Sequence, residues 1–385
     1  MRTLFLLPGP NAPRSEPHLN RFHYLAKHLE ADVLQPAWRD DHQRLRHLSH
    51  PEHAGPPRIR FHYTASGGLP QPLRTAWDIA FYVMTALDLM RGGHRYDAIV
   101  AFGMIKTALA AWVLARLTGS KLVLEIAVRP DRAARYRRAR PRAFETLKDH
   151  LANRIAAFLL PRADHLRLMY PGQVDAFPRA RHVPATAFPD FVATSQMKPQ
   201  ADSGFVLLMG SPLYLKGADL AVAAFRKIAE EFPADELRIV GYAPDIGHFK
   251  ALAGNHPRIR FSAPVPYPQA LELIGRATCL VVASRSDAMP RIALEAMAMR
   301  KPVIASAVDG MAHYLQHGKN ALLFESGDAD GLASVLRQVL GDRAFARSLA
   351  ERGYRWVQNN MSETQYAERF RAMIEATLID RSRSF

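Results

Sequence analysis

Short apolar runs closed by Gly, Pro or charged residues alternate along the chain with longer stretches in which apolar residues return every three or four positions. The first pattern predicts buried parallel strands and the second predicts helices lying on them. In the amino-terminal half, strands are expected at TLFLLPG (Thr3 to Gly9), ADVLQP (Ala31 to Pro36), RIRFHYT (Arg58 to Thr64), AIVAF (Ala98 to Phe102), KLVLEIA (Lys121 to Ala127) and HLRLMY (His165 to Tyr170). Helices are expected over Leu19 to Leu29, over Trp77 to Met90, in the stretch through Leu117, and on a face marked by Phe144, Leu147, Leu151, Ile155 and Phe158. Residues 38–60 are polar, carry the turn Gly55-Pro56-Pro57 and read as a loop. After a Pro-rich passage and the polar linker KPQADSG (Lys198 to Gly204) the alternation restarts. Strands FVLLMG (Phe205 to Gly210), ELRIVG (Glu236 to Gly241) and RIRFSA (Arg258 to Ala263) then interleave with helices over Ala218 to Phe232 and Gln269 to Arg276. Such alternation on both sides of a linker is the pattern of two doubly wound parallel sheets. The expected α/β domains are residues 1–200 and 201–360, with a terminal helix, Glu363 to Leu378, inside 361–385.

The richest stretch runs from Ser284 to Gly310. CLVVAS (Cys279 to Ser284) reads as a buried strand that delivers Ser284 to Ala288 as a loop. Pro290 suits a helix start, Arg291 to Met299 has helical composition, and Pro302 ends the helix before the strand PVIAS. The result is one βαβ unit, whose helix N-terminus offers free N–H groups and positive potential to an anion at the carboxyl ends of the strands. Asp287 on the loop and Glu295 on the helix stand eight residues apart and can face one crevice. Carboxylates accept paired hydrogen bonds from vicinal hydroxyls, which suits hydroxylated sugars flanking a diphosphate. The same residues also fit a plainer role, with Asp287 or Ser286 as a helix cap and Glu295 as a solvated side chain.

Together, Ser284, Asp287, Pro290, Leu294-Glu295-Ala296-Met297-Ala298 and Pro302-Val303-Ile304-Ala305 resemble the carboxyl-terminal signature of glycosyltransferase family 4, the glycosyl transferases group 1. The chain departs from it with Asp287 for the family's first Glu, Arg300 for Gly and Asp309-Gly310 for Gly-Gly. The likeness is strong over residues 204–360 and rests mostly on element order over 1–200. It implies the GT-B fold, two doubly wound Rossmann-like domains facing across a cleft, with the terminal helix crossing back to the first.

The resemblance also assigns residues. Gly210, Ser211 and Lys216-Gly217 occupy the place where the family has Gly-Arg and Lys-Gly holding the donor diphosphate; Lys216 matches and Ser211 replaces the Arg. Independently of the resemblance, Arg285 or Arg291, both beside the loop, is expected to supply the missing charge from the other side. Gly241 and Val265 fall where family members close around base and ribose, and Ala288, Met289 and Pro290 complete the loop and helix start. Glu295 is expected to hold the ribose hydroxyls, Asp287 the donor sugar, and Lys216 the leaving diphosphate. In the first domain the family's usual His falls at Ala127-Val128, and Glu125 reads equally as buried structure or as a pocket carboxylate.

Charge adds one further partner. The chain carries 51 basic and 36 acidic residues, and residues 1–200 hold 29 of the basic against 16 of the acidic ones. Seven arginines lie between Arg129 and Arg142, among them Arg135, Arg137, Arg138 and Arg140. Such a cluster meets phosphate on a lipid surface or a lipid-linked acceptor, or is a solvated loop. No nucleic-acid module is evident. The single Cys279 excludes internal disulfides and Cys-based metal sites. The four-residue apolar run Leu4 to Leu7 is too short for a signal-peptide core, and Lys106 interrupts the apolar tract from Ala98 to Leu117. A cytoplasmic protein, peripheral on the inner membrane face, is expected.

The resemblance implies transfer of a sugar from a nucleoside diphosphate donor to a hydroxyl, with retained configuration and neither metal nor other cofactor, and the basic first half favours a saccharide or lipid-linked acceptor. The alternatives are a silent GT-B subunit that binds a nucleotide-sugar or supports a partner, favoured by Ser211, Ala127 and Asp287, and a different GT-B enzyme such as an epimerase.

Overall fold

The computed structural model describes residues 1–9, 20–37, 58–127, 143–194 and 197–379. They form two compact units, one from the described parts of Met1–Ala127 and His150–Phe188 with the helix that begins at Glu363, the other including Pro189–Ser362.

The first unit is built on a seven-stranded, all-parallel sheet: β1 (Arg2–Leu6), β2 (Glu30–Ala37), β3 (Ile59–Ala65), β4 (Ala98–Phe102), β5 (Lys121–Ile126), β6 (His165–Leu168) and β7 (Ala185–Ala187), in the order β3-β2-β1-β4-β5-β6-β7. The central strands are buried along their length, as their unbroken apolar runs require. The apolar tract Ala98 to Leu117 is the expected strand and helix, β4 followed by the helix Lys106–Thr118. Among the described residues no helix is long and apolar enough to cross a membrane.

Two helices differ from expectation. The helix after β1 covers only Arg21–Leu25, because β2 already begins at Glu30 and the intervening residues turn to bring buried Leu29 onto the core. The next helix runs Gln71–Arg91, beginning directly after Pro70 and ahead of its amphipathic stretch. Farther on, Ile155 packs on the core while Leu151 and Phe158 of the expected apolar face remain exposed.

The helix Glu363–Ile379 closes this unit. Phe370 is fully buried, with its ring 5.7 Å from Phe5, 6.5 Å from Phe102 and 6.2 Å from Phe188. Tyr366 accepts a hydrogen bond from Arg21 at 3.2 Å. Glu125 is buried structure: it pairs with the fully buried Arg167 and lies 3.6 Å from Arg21.

At the amino ends of β1 and β2, Asp32 is completely buried, with Arg2 at 3.2 Å, the Tyr96 hydroxyl at 2.9 Å and His62 Nε2 at 2.8 Å. Burial pushes its carboxyl upward. The hydrogen bonds from His62 and Tyr96 and the charges of His62 and Arg2 outweigh that and hold it at about 2. A carboxyl lowered on folding contributes stability above its unfolded value near 4 and loses it as pH falls toward 2. Asp32→Asn is therefore expected to destabilise this unit by about 2 kcal/mol at pH 7 and by clearly less at pH 3. Urea unfolding of parent and variant at the two pH values measures the difference, and an equal loss at both would contradict the assignment.

The second unit holds a six-stranded, all-parallel sheet of β8 (Phe205–Met209), β9 (Glu236–Val240), β10 (Ile259–Ser262), β11 (Cys279–Val282), β12 (Val303–Ser306) and β13 (Leu322–Phe324), in the order β10-β9-β8-β11-β12-β13. The order reverses between β8 and β11, and at the carboxyl end of such a switch two adjacent loops diverge and leave a crevice. The main span of this unit, Pro189–Ser362, starts ahead of the Lys198–Gly204 stretch where the sequence places a linker. Buried Phe191, Val192 and Met197 anchor that approach, and the Val192 amide donates to the Met361 carbonyl at 3.1 Å.

Candidate functional site

Two loops meet at the switch point of the second sheet. The first leaves β8 through Gly210, whose φ of 143° favours glycine and whose α-carbon is so near the Lys216 stem that an added Cβ would lie 3.1 Å from its Cγ and Cε. Lys216 is thereby laid back along the strand end. Gly217 follows with φ 70° as the cap of the helix Ala218–Ile228, and a Cβ there would sit 2.0 Å from the Ala283 carbonyl oxygen at the end of β11. The two loops can approach this closely only with glycine at 217. Gly217→Ala is expected to lower stability by about 2 kcal/mol or more and to displace Lys216. Chemical denaturation measures the first effect and nucleotide-induced thermal shift the second.

The second loop leaves β11 with Ser284, Arg285, Ser286 and Asp287. The Lys216 ammonium and the Asp287 carboxylate form an ion pair at 2.6 Å, and the Ser284 hydroxyl lies 3.3 Å from the same carboxylate oxygen. Both charged side chains keep about a fifth of their surface exposed, so the pair is open to an incoming ligand. Ser286 donates to Asp309 at 2.5 Å, and the Ser306 hydroxyl donates to the Ser284 carbonyl at 2.5 Å, fixing the loop to the next strand connection. Asp309 has φ 45°, a left-handed conformation at the place of the first glycine in the expected Gly-Gly pair.

The helix Arg291–Ala298 starts after Pro290, which acts as its N-cap residue. Glu295 lies on its inner side, only 4% exposed, and accepts a hydrogen bond from the Tyr267 hydroxyl at 2.8 Å. A carboxylate so far out of water requires such partners. It is not the solvated side chain of the plainer reading, and Asp287 is engaged by Lys216 while Pro290 holds the cap position.

The remaining sequence candidates divide by what their side chains touch. Arg285 forks onto Asp219 at 2.9 and 2.6 Å, donates to the Tyr214 carbonyl and stacks 4.1 Å above the Tyr214 ring. Its charge is largely matched by Asp219, which leaves little for a diphosphate. Arg291 lies over the Phe191 ring at 5.6 Å. Ser211 is exposed, and its hydroxyl accepts from the Tyr242 amide at 2.8 Å. Gly241 is in backbone contact with Gly210, since a Cβ at 241 would fall 2.1 Å from the Gly210 carbonyl oxygen. Ala288 and Met289 are buried, Met289 within the apolar core, so that only their backbone can face a ligand. Val265 and Val240 line a cavity of about 500 Å³ with Glu236, Arg238 and Arg260. That cavity lies along the face of β9 and β10 and does not include Lys216, Asp287 or Glu295. Arg135, Arg137, Arg138 and Arg140 lie outside the described residues.

The sequence reading missed Asp219, Tyr267 and Asp309 as the partners of Arg285, Glu295 and Ser286. Tyr267 carried the one available signal, an aromatic hydroxyl directly after Val265-Pro266.

The family model for glycosyl transferases group 1 matches residues 194–356, the span that contains this whole constellation. This part of the chain is similar to the group 1 glycosyl transferases. Over 190 residues the chain is 29% identical to D-inositol 3-phosphate glycosyltransferase 1 of Catenulispora acidiphila, a match covering 48% of this chain and 43% of that protein. The chain spans about half or less of the length of the curated relatives it matches. Sucrose-phosphate synthase from Thermosynechococcus elongatus superposes with a TM-score of 0.73 at 19% identity, over 98% of this chain and 100% of that one. The Anabaena protein HepE in complex with UDP-glucose does so with a TM-score of 0.72 at 17% identity, over 98% and 100%. At these identities the likeness establishes the fold alone, and that fold is GT-B.

Proposed function

We propose that this protein is a glycosyltransferase that moves a sugar from a nucleoside diphosphate donor to a hydroxyl acceptor with retained configuration, in the synthesis of a lipid-linked or surface polysaccharide or glycolipid. The observation that carries the reading is the Lys216–Asp287 pair at the switch point, with buried Glu295 on the helix that follows. A relative named as a glycosyltransferase and a structural neighbour crystallised with UDP-glucose support it. In this reading Lys216 and the N-terminus of the helix Arg291–Ala298 stabilise charge developing on the departing diphosphate. Glu295 accepts the ribose hydroxyls, and Asp287 accepts from hydroxyls of the donor sugar. The acceptor is held by the amino-terminal part of the chain, whose excess of basic residues fits a phosphate-bearing acceptor or an anionic membrane. Salt-sensitive sedimentation with anionic vesicles is the measure of that last point.

A panel of UDP, GDP and ADP in a thermal-shift assay tests donor binding, and donor turnover with and without candidate acceptors tests transfer. One observation favours a second reading, a silent subunit that binds a nucleotide-sugar without using it. At the place of the family's phosphate-binding arginine, Ser211 offers no charge and its hydroxyl already accepts from the Tyr242 amide. Binding without turnover for any acceptor would establish that second reading.

A further inference from the structure

We infer that Lys106 and Asp78 form a hydroxyl-binding site for the acceptor saccharide at the switch point of the first sheet, an assignment that rests on the transfer reading above and gives its acceptor a place. The order of that sheet reverses between β1 and β4, so its carboxyl end offers the same kind of crevice as that of the second sheet. Lys106, the cation that interrupts the apolar tract from Ala98 to Leu117, reaches from the start of the helix Lys106–Thr118 to the loop after β1 and donates to the Gly9 carbonyl at 2.5 Å. It also pairs with Asp78 of the helix Gln71–Arg91. That helix is held to the same loop by Tyr82, whose hydroxyl donates to the Leu7 carbonyl at 2.6 Å. Three segments of one unit therefore converge on a single ion pair.

The pair is only half satisfied. Asp78 has no exposed surface, and among the described residues its Oδ1 has no hydrogen-bond partner while Lys106 occupies Oδ2. An ammonium has three N–H groups, and among the described residues those of Lys106 meet two acceptors, Asp78 and Gly9. A buried ion pair kept only for stability is expected to satisfy its remaining lone pairs and protons within the protein. This one leaves an N–H group and a carboxylate oxygen in one place, the complement of a hydroxyl, which accepts from the first and donates to the second. The two oxygens of a carboxylate are equivalent, so a turn about the Cβ–Cγ bond of Asp78 presents either of them to a hydroxyl that enters past Lys106, whose side chain is 18% exposed. The opposite charges cancel, and the pair therefore has no excess positive charge with which to prefer a phosphate over a neutral hydroxyl. Exposed Pro8 and Ile105 adjoin Gly9 and Lys106 in the chain and supply the apolar border common in sites for small ligands.

Saturation-transfer NMR titration of the full chain with the methyl glycosides of glucose, galactose and mannose, in the absence of nucleotide, tests the assignment. The parent should bind at least one of them, and inorganic phosphate should not displace it. Lys106→Ala alone would strand a buried carboxylate, so the variants are the isosteric Asp78→Asn and the doubly neutral Asp78→Asn with Lys106→Gln. Both should bind the glycoside about tenfold more weakly or not at all, while keeping the parent's nucleotide-induced thermal shift because the pair lies in the other unit. Unchanged glycoside binding in either folded variant, displacement by phosphate, or failure of the parent to bind any of the three glycosides overturns the assignment. Each of these results leaves the donor reading intact; that reading fails separately if no nucleoside diphosphate shifts the parent's melting temperature.

Discussion

Replacing Glu295 with alanine is expected to abolish stabilisation by the preferred nucleoside diphosphate. A ligand at one hundred times its dissociation constant stabilises the parent by about 2.7 kcal/mol, and this whole increment should vanish. The effect is large because Glu295 is buried, so that water is a poor substitute for the hydroxyls it would bind. The variant also leaves the Tyr267 hydroxyl without that acceptor, so the unliganded melting temperature should fall slightly. Thermal shift with and without nucleotide separates the two losses. A Glu295→Ala protein that keeps the full nucleotide increment would remove Glu295 from the site.

The second large effect concerns the ion pair. Lys216→Ala should reduce transfer by about 10² to 10³-fold, the usual result of removing a group that stabilises developing charge. Asp287 should behave differently toward substrate and product. Its carboxylate holds the Lys216 ammonium at 2.6 Å, so a diphosphate has to draw that ammonium away. In the donor site proposed above, hydroxyls of the sugar replace the ammonium as partners for Asp287, and the bare diphosphate product brings no such replacement. Asp287→Asn should therefore bind the nucleoside diphosphate about fivefold more tightly, the worth of about 1 kcal/mol, while transferring sugar far more slowly. Asp287→Glu should be tolerated. If Asp287→Ala leaves transfer unchanged, Asp287 has no part in the donor site.

Most strands were legible because each is an apolar run with polar or Gly/Pro flanks, and alternation with helical stretches is enough to indicate parallel sheets. The three-residue β7 and the 3₁₀ turns around it were not, since so short a segment carries no period. The extent of the Arg21–Leu25 helix was misread because apolar spacing continues through Leu29, which serves the core from a turn instead. Lys216, Asp287 and Glu295 could be named because each sits in a local motif. Their partners could not: Asp219 meets Arg285 across 66 residues, Tyr267 meets Glu295 across 28 and Asp309 meets Ser286 across 23. Arg285 illustrates the consequence. Its position beside the loop suggested a phosphate ligand, and only the fold brings Asp219 under it.

The closing helix of the first unit also bears on how the chain acquires its structure during synthesis. Arg21 and Tyr366 touch although 345 residues separate them, and Phe370 plugs the aromatic cluster of Phe5, Phe102 and Phe188. On the ribosome, Pro189–Ser362 emerges in full before that plug is made. The later-encoded unit is thus able to mature first, while the earlier-encoded one waits with its aromatic core uncovered. For the length of that wait the nascent amino-terminal unit is a natural client for chaperones, and slow translation between Ser362 and Ile379 would lengthen its exposure.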